Sequence, residues 1–121
     1  MKRILIIEDN ELNCDMLSRR LQRAGFEVSS ASNGASGLKL AAEAPPVLIL
    51  LDIRLPDIDG REVVRQLRQN EKTRQIPVIA LTASVAEADR ERALISGCDD
   101  FDTKPIDWPR LLGKIKQLIG P

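Results

Sequence analysis

The feature that most constrains the fold is a run of five large apolar residues, Val47 to Leu51, that ends on the carboxylate Asp52. A segment this short with no polar face predicts a strand covered on both sides, which is typical of the centre of a parallel sheet. Ligands of open α/β sheets bind beyond the carboxyl ends of the strands, so Asp52 lies where chemistry is expected. Taken alone, Asp52 is more simply explained as a strand-ending aspartate that binds the next backbone N–H.

Short strand patterns alternate with helical patterns along the whole chain. The other predicted strands cover residues 2–7, 26–31, 78–81 and 99–103. Apolar residues at helical spacing predict helices over about 10–24, 37–44, 60–68, 84–96 and 107–119. This alternation predicts an α/β fold, with a doubly wound five-stranded parallel sheet, right-handed crossovers and helices on both faces.

Length and composition predict one domain over residues 1–121 and exclude several classes of function. The 18 basic and 18 acidic residues cancel, so a general attraction to nucleic acid or anionic membrane is not expected. No apolar run approaches the ~18 residues of a membrane span and no signal peptide is evident, so we expect a cytoplasmic location, with Cys14 and Cys98 as free thiols. The absence of histidine excludes Ser-His-Asp and Cys-His catalysis and leaves mainly oxygen-ligand metal sites.

Polar residues that suit one another follow four of the predicted strands. Glu8 and Asp9 follow the first strand, Asp52 ends the third, Thr82 follows the fourth and Lys104 the fifth. Neighbouring strands lie about 4.8 Å apart, so carboxylates at the ends of adjacent strands can share one cation. Oxygen ligands without histidine or thiolate select a hard ion, and Mg²⁺ suits a small site that also admits water and phosphate oxygens.

The same edge of the predicted sheet carries groups that can hold a phosphoryl group. Lys104 supplies an ammonium and Thr82 a hydroxyl for the phosphoryl oxygens. A carboxylate between a divalent metal and a lysine is suited to phosphoryl transfer, which predicts Asp52 as the nucleophile. Each residue alone has a simpler explanation, since Asp9 and Thr82 can be helix caps and Lys104 a solvated lysine. The combination is therefore the specific signal.

Four segments resemble the receiver domain of two-component response regulators. They are IEDN at 7–10, LLDIRLPDIDG at 50–60, IALTA at 79–83 and GCDDFDTKP at 97–105. The resemblance covers the chain from the first strand to the last helix. It implies a flavodoxin-like fold with strand order 2-1-3-4-5 and a cis bond between Lys104 and Pro105.

The resemblance also implies a role for each site residue. Asp52 would be the phosphoacceptor, Asp9 and Asp52 would bind Mg²⁺ directly, and Glu8 would act largely through metal-bound water. The remaining implied roles are a metal ligand from the backbone carbonyl of Arg54, and phosphoryl contacts from Thr82, the backbone N–H of Ala83 and Lys104.

Phosphorylation would add negative charge at Asp52, which draws Thr82 inward so that a nearby aromatic residue occupies the vacated space. In the family this aromatic lies three residues before the lysine, which here is Phe101, without the hydroxyl of the more usual tyrosine. Asp102 stands where the family often places an apolar residue, and its charge predicts an exposed edge or a partner contact. The helix at 84–96, the fifth strand and the start of the last helix are the expected output face and a candidate dimer surface.

The sequence therefore predicts a stand-alone, single-domain response regulator without an output domain. Its expected phosphoryl donor is a histidine kinase or a histidine phosphotransfer protein, and its phosphorylated form is expected to bind a target protein. It would be a phosphoacceptor rather than an enzyme, apart from its own phosphotransfer and dephosphorylation. A receiver from a hybrid kinase and a pseudo-receiver scaffold are alternatives.

Two other classes of α/β protein fit the sequence less well. An aspartyl-phosphate phosphohydrolase would need a second acid two residues after Asp52, where this chain has Arg54. A flavodoxin-like cofactor module would need a hydroxyl- and glycine-rich loop after the first strand, where this chain has Glu8 and Asp9.

Overall fold

A computed structural model describes residues 2–87, 89 and 97–120. The strands and helices alternate as predicted from β1 to β4, and a helix follows β5. They are β1 (Arg3–Ile7), α1 (Glu11–Arg23), β2 (Glu27–Ala31), α2 (Gly34–Glu43), β3 (Leu48–Asp52), α3 (Gly60–Gln69), β4 (Val78–Thr82), β5 (Asp100–Thr103) and a C-terminal helix (Trp108–Ile119). The helix predicted over 84–96 lies largely outside the described residues.

The sheet confirms the predicted flavodoxin-like topology. Its five strands run in the order β2-β1-β3-β4-β5, and every neighbouring pair is parallel. All five residues of β3 are buried, as the apolar run at this position predicts. Because all the strands are parallel, their carboxyl ends meet at one edge of the sheet, which gathers the residues that follow them.

Successive residues of the central strands point alternately into two apolar cores. Side chains such as Leu5 and Leu51 pack in the core that also contains Val63 of α3. Side chains such as Ile6 and Leu50 pack in the core that also contains Leu111 of the C-terminal helix. This double burial explains why β1 and β3 lack the alternation of polar and apolar residues that a one-sided strand would show.

The start of α2 differs from the prediction. The sequence predicts a helix from Gly37, which is wrong, because α2 begins at Gly34. The Asn33 side chain caps the helix by accepting a hydrogen bond from the Ser36 N–H at 2.8 Å. The helix is also capped by Asp57, which lies far away in the sequence, so its contribution is not visible in the local pattern.

Other local predictions are confirmed. Asn10 caps α1 and Asp107 caps the C-terminal helix, each by accepting a backbone hydrogen bond from three residues later. The bond between Lys104 and Pro105 is cis, as the resemblance implies. Within the described part of the chain, no helix has the length and apolar character needed to cross a membrane.

Candidate functional site

The register of the sheet places the predicted site residues side by side. Ile7 pairs with Leu51, so Glu8 and Asp52 extend from adjacent strands at the same level. On the other side of β3, Asp52 itself pairs with Leu81, the residue before Thr82. The predicted proximity of these side chains therefore follows from the pairing of three neighbouring strands.

Three carboxylates form an acidic cluster at this edge of the sheet. One oxygen from each of Glu8, Asp9 and Asp52 lies within 4.8 Å of the others. Glu8 and Asp52 are only 3% and 6% exposed, whereas Asp9 is exposed. A compact set of carboxylate oxygens, part buried and part open to water, fits a hard divalent cation such as Mg²⁺.

Lys104 lies against the acidic cluster. Its Nζ donates a hydrogen bond to Oε1 of Glu8 at 2.9 Å and lies 3.5 Å from Oδ2 of Asp52. Two of the three carboxylates contact this ammonium, so among the described residues the group carries excess negative charge when all three acids are ionised. A bound cation would remove that excess.

The proton affinities of the buried acids reflect this crowding. Burial, together with the neighbouring Glu8 carboxylate, raises the pKa of Asp52 to about 7, although Lys104 opposes the change. Burial also opposes ionisation of Glu8, but hydrogen bonds from Asp52 and Lys104 lower its pKa overall. Burial also disfavours the charged form of Lys104, but Glu8 and Asp52 raise its pKa overall. Near neutral pH without metal, Glu8 is therefore ionised while Asp52 holds a proton for part of the time.

A small cleft opens beside Asp52. Its volume is about 100 Å³, and its lining includes the other predicted phosphoryl contacts, Thr82, Ala83 and Lys104. The Thr82 hydroxyl donates to the carbonyl of Ser84 at 3.2 Å and lies 3.4 Å from the carbonyl of Asp102, so it is directed away from Asp52.

The segment that follows β3 forms a hydrogen bond with one carboxylate oxygen of Asp52. The backbone N–H of Arg54 donates to Oδ1 of Asp52 at 3.2 Å, while Oδ2 lies on the side of Lys104. The Arg54 side chain forms an ion pair with Glu87 at the cleft, a contact that the sequence did not predict. The two oxygens of Asp52 are therefore distinct in their surroundings.

The structure corrects the expectation for Asp102. A charged residue here predicts an exposed edge, but Asp102 is only 3% exposed, so that expectation is wrong. Its carboxylate is held within the chain by Arg110, whose Nε donates to Oδ1 at 2.8 Å. Phe101, the predicted switch aromatic, is also buried, at 6% exposure, in the core next to Ala80.

The pairing of Asp102 was missed because its partners belong to the helix that follows. Arg110 and Lys114 are one turn apart on the C-terminal helix, so both point toward β5. A basic pair at this spacing, opposite a strand with two acids, is the signal that the sequence offered. The expectation of an exposed edge came from the resemblance alone, which places an apolar residue at position 102.

Comparison with known protein families identifies the class of protein to which this fold and this site belong. The protein-family model of the response regulator receiver domain matches residues 4–116 of this sequence. The chain belongs to this family, so it is a component of two-component signalling.

Individual relatives agree with this assignment. The chain is 41% identical over 119 residues to the polar-differentiation response regulator DivK of Brucella anthropi, a match that covers 98% of this chain and 97% of DivK. Its structure is similar to the receiver domain of the sensor histidine kinase PA1611 from Pseudomonas aeruginosa, with a TM-score of 0.91, 33% identity and coverage of 99% and 98% of the two chains. That receiver is described with a magnesium ion coordinated in its active site cleft.

A third match is a receiver in a complex. It comes from a co-crystal structure of the Saccharomyces cerevisiae histidine phosphotransfer signalling protein Ypd1 with the receiver domain of its downstream response regulator Ssk1. The TM-score is 0.85 at 30% identity, and the match covers 98% of this chain and 88% of that one.

Proposed function

We propose that this receiver accepts a phosphoryl group on Asp52 in a reaction that depends on Mg²⁺. The observation that carries the proposal is the position of Asp52, which shares a cluster with two other carboxylates and has Lys104 within 3.5 Å of its Oδ2. The match to the receiver family over residues 4–116 supports a single receiver domain spanning residues 1–121.

The chain's own residues can bind the metal and the phosphoryl group. Glu8, Asp9, Asp52 and the backbone carbonyl of Arg54 would hold Mg²⁺, with Glu8 acting largely through water. When bound, Mg²⁺ would supply positive charge that offsets the carboxylates and the phosphoryl oxygens. Lys104 would balance the remaining charge of the phosphoryl group from the opposite side.

The transfer itself is a displacement at phosphorus. An ionised oxygen of Asp52 forms a bond to phosphorus while the bond from phosphorus to the donor nitrogen breaks, and the departing imidazole retains that electron pair. Asp52 must lose its proton before it attacks. Its pKa of about 7 without metal means that nearby positive charge also promotes the reactive form.

The phosphoryl group would then change the surroundings of Thr82. The hydroxyl that now donates to Ser84 would turn to a phosphoryl oxygen, next to the Ala83 N–H. Phe101 is already buried, so we propose that its part in switching is a shift within the core near Ala80 rather than a move from solvent. The proposed face for a target protein or a second copy includes β5 and the start of the C-terminal helix. The rest of the expected face, the helix predicted over 84–96, lies largely outside the described residues.

The phosphoryl donor would be a histidine kinase or a histidine phosphotransfer protein. The similarity to a receiver crystallised with its phosphotransfer protein supports this partner class. The chain would act as a signalling regulator rather than as an enzyme on a separate substrate, and its similarity to a protein described as a polar-differentiation response regulator supports the signalling role. Cys14 and Cys98 are both free, which is typical of the cytoplasm, the proposed location.

A receiver of a hybrid kinase is a second candidate. The similarity to the receiver of a sensor histidine kinase favours it specifically. The chemistry at Asp52 would be the same, and only the source of the phosphoryl group and the next acceptor would differ.

Incubation with acetyl phosphate and Mg²⁺ tests the proposed function. We expect intact-protein mass spectrometry to show one added phosphoryl group, and Asp52→Asn to abolish it because the nucleophilic oxygen is lost. Asp15→Asn, the same substitution at an exposed position of α1, is the control and should be labelled like the wild type. Labelling of Asp52→Asn at the wild-type level would contradict the assignment of Asp52.

A further inference from the structure

The N-terminus of α2 donates two of its hydrogen bonds to a distant part of the chain. The first N–H groups of a helix have no partner within the helix. In α2, the N–H of Ser36 donates to the side chain of Asn33, as in an ordinary cap. The N–H groups of Gly34 and Ala35 donate instead to Oδ1 and Oδ2 of Asp57, at 2.8 and 3.0 Å.

Asp57 belongs to the loop of residues 53–59, which joins β3 to α3. This loop begins next to Asp52 and carries Arg54, the proposed source of a carbonyl ligand. Its two ends are joined because the Gly60 N–H donates to the carbonyl of Ile53 at 3.1 Å. A Cβ at Gly60 would lie 2.9 Å from Cα of Ile53, so only glycine permits this approach. The base is closed and Arg54 is held by Asp52 and Glu87, so contacts at the far side are what remain to orient the rest of the loop.

Asp57 provides such a contact on the far side of the loop. A Cβ at Gly34 would lie 3.1 Å from Cβ of Ile58 and 3.1 Å from Cγ2 of Val63, so the loop, α3 and the helix start are closely packed. The Ala35 and Gly34 amides hold the pKa of Asp57 below its ordinary value. The carboxylate is therefore charged at neutral pH and interacts favourably with the positive end of the helix.

We propose that Asp57 is a positioning residue for the metal site. By binding both leading amides of α2, it fixes the loop that carries Arg54 and so keeps the Arg54 carbonyl at the acidic cluster. It touches neither the metal nor the phosphoryl group. The inference rests on the proposed function, since it names a residue that prepares the same site.

The experiment compares two aspartates of the same loop. Asp57 binds another element, whereas Asp59 caps α3 locally, with its Oδ1 accepting from the Arg61 N–H at 2.8 Å. We expect Asp57→Ala to weaken Mg²⁺ binding about tenfold in calorimetry, the lower end of the effect for residues that orient a metal ligand. Asp59→Ala, which also removes a helix cap, should bind Mg²⁺ within about twofold of the wild type because its loss leaves the loop attached to α2.

Amide hydrogen exchange gives a readout without metal. Asp57→Ala should speed exchange at Arg54, whose N–H donates to Asp52, while Asp59→Ala should not. Asp57→Asn keeps one acceptor oxygen and should fall between wild type and Asp57→Ala in both measurements. Wild-type Mg²⁺ affinity and exchange in Asp57→Ala, or equal changes in Asp59→Ala, would overturn the proposal. If the wild-type protein binds no Mg²⁺, the proposed function fails instead, and exchange at Arg54 alone decides whether Asp57 orders the loop.

Discussion

Two groups of charged side chains, each built around buried carboxylates, differ in how well the chain balances their charge. The first is the acidic cluster of Glu8, Asp9 and Asp52, which faces a single ammonium from Lys104. The second, which we call the β5 ion-pair network, joins Asp100 and Asp102 of β5 to Arg110 and Lys114 of the C-terminal helix.

The difference between them is charge balance. The β5 ion-pair network sets two bases against the two acids of β5, and Asp107 also lies 4.0 Å from Arg110. Oδ1 of Asp102 accepts from Arg110 at 2.8 Å and from the Thr103 N–H at 2.8 Å. Among the described residues, Oδ2 of Asp102 is the one buried side-chain oxygen or nitrogen without a hydrogen-bond partner. The acidic cluster has more negative charge than its surroundings neutralise. Buried charge that the chain itself compensates indicates a structural role, and uncompensated charge indicates a ligand.

The largest expected effect is a dependence of stability on pH, which distinguishes the acidic cluster from the β5 ion-pair network. Without metal, the raised pKa of Asp52, about 7, means that the folded protein binds more protons than the unfolded chain between about pH 4.5 and 7. The free energy of unfolding should therefore fall as pH rises through this window, on the order of 3 kcal/mol from this group. Urea unfolding at several pH values measures it.

Asp52→Asn is the control for this pH dependence. In this variant the free energy of unfolding should fall less as pH rises. The variant should also be more stable than the wild type at pH 7 without metal, because no proton has to be lost from a buried acid. Saturating Mg²⁺ should also flatten the fall in the wild-type protein. A wild-type slope that persists unchanged in Asp52→Asn would place the responsible charge elsewhere.

A smaller effect is expected in the β5 ion-pair network. Arg110→Met should lower the free energy of unfolding by about 2 kcal/mol, because among the described residues it leaves the buried Asp102 carboxylate with Lys114 as its one cationic partner. The effect is below that of a fully buried pair, since the Arg110 side chain is 43% exposed. Asp102→Val should be nearly neutral, and the double variant should recover most of the loss. An equal loss in Arg110→Met and the double variant would show that the network does not depend on charge.

The smallest expected effect concerns metal affinity. Lys104→Ala should strengthen Mg²⁺ binding several-fold, because the ammonium repels a cation and competes for Glu8 and Asp52. The same variant should lose much of the response to phosphorylation. Lys114→Ala, the matched lysine of the β5 ion-pair network, should leave Mg²⁺ affinity unchanged. Calorimetry compares the two, and weaker binding in Lys104→Ala would mean that the lysine orders the acids rather than competing with the metal.

Much of the fold followed from local pattern. The apolar run before Asp52 predicted the central strand because five buried side chains in succession require cover on both faces. The caps at Asn10 and Asp107 were predicted because a capping side chain binds a backbone group only three residues away. Interactions of short range in sequence leave a local signature.

The errors occurred where contacts are long-range. The start of α2 was misplaced by three residues: its local cap at Asn33 was not predicted, and Asp57, more than 20 positions away, binds its first amides. Asp102 was expected at an exposed edge because the sequence does not show that the C-terminal helix covers it with Arg110. In both cases the residue type was visible and its partner was not.

The sequence by itself determined which residues stand at the ends of the strands, because strand ends are set by where apolar runs stop. It also determined the family, because the segments that resemble a receiver domain are short and their characteristic residues are adjacent in the sequence. Only the tertiary structure decided which charges meet, how far Asp52 resists ionisation, and how the loop beyond it is held. Those properties depend on distances of a few ångströms between groups separated by up to 96 positions, as in the hydrogen bond from Lys104 to Glu8.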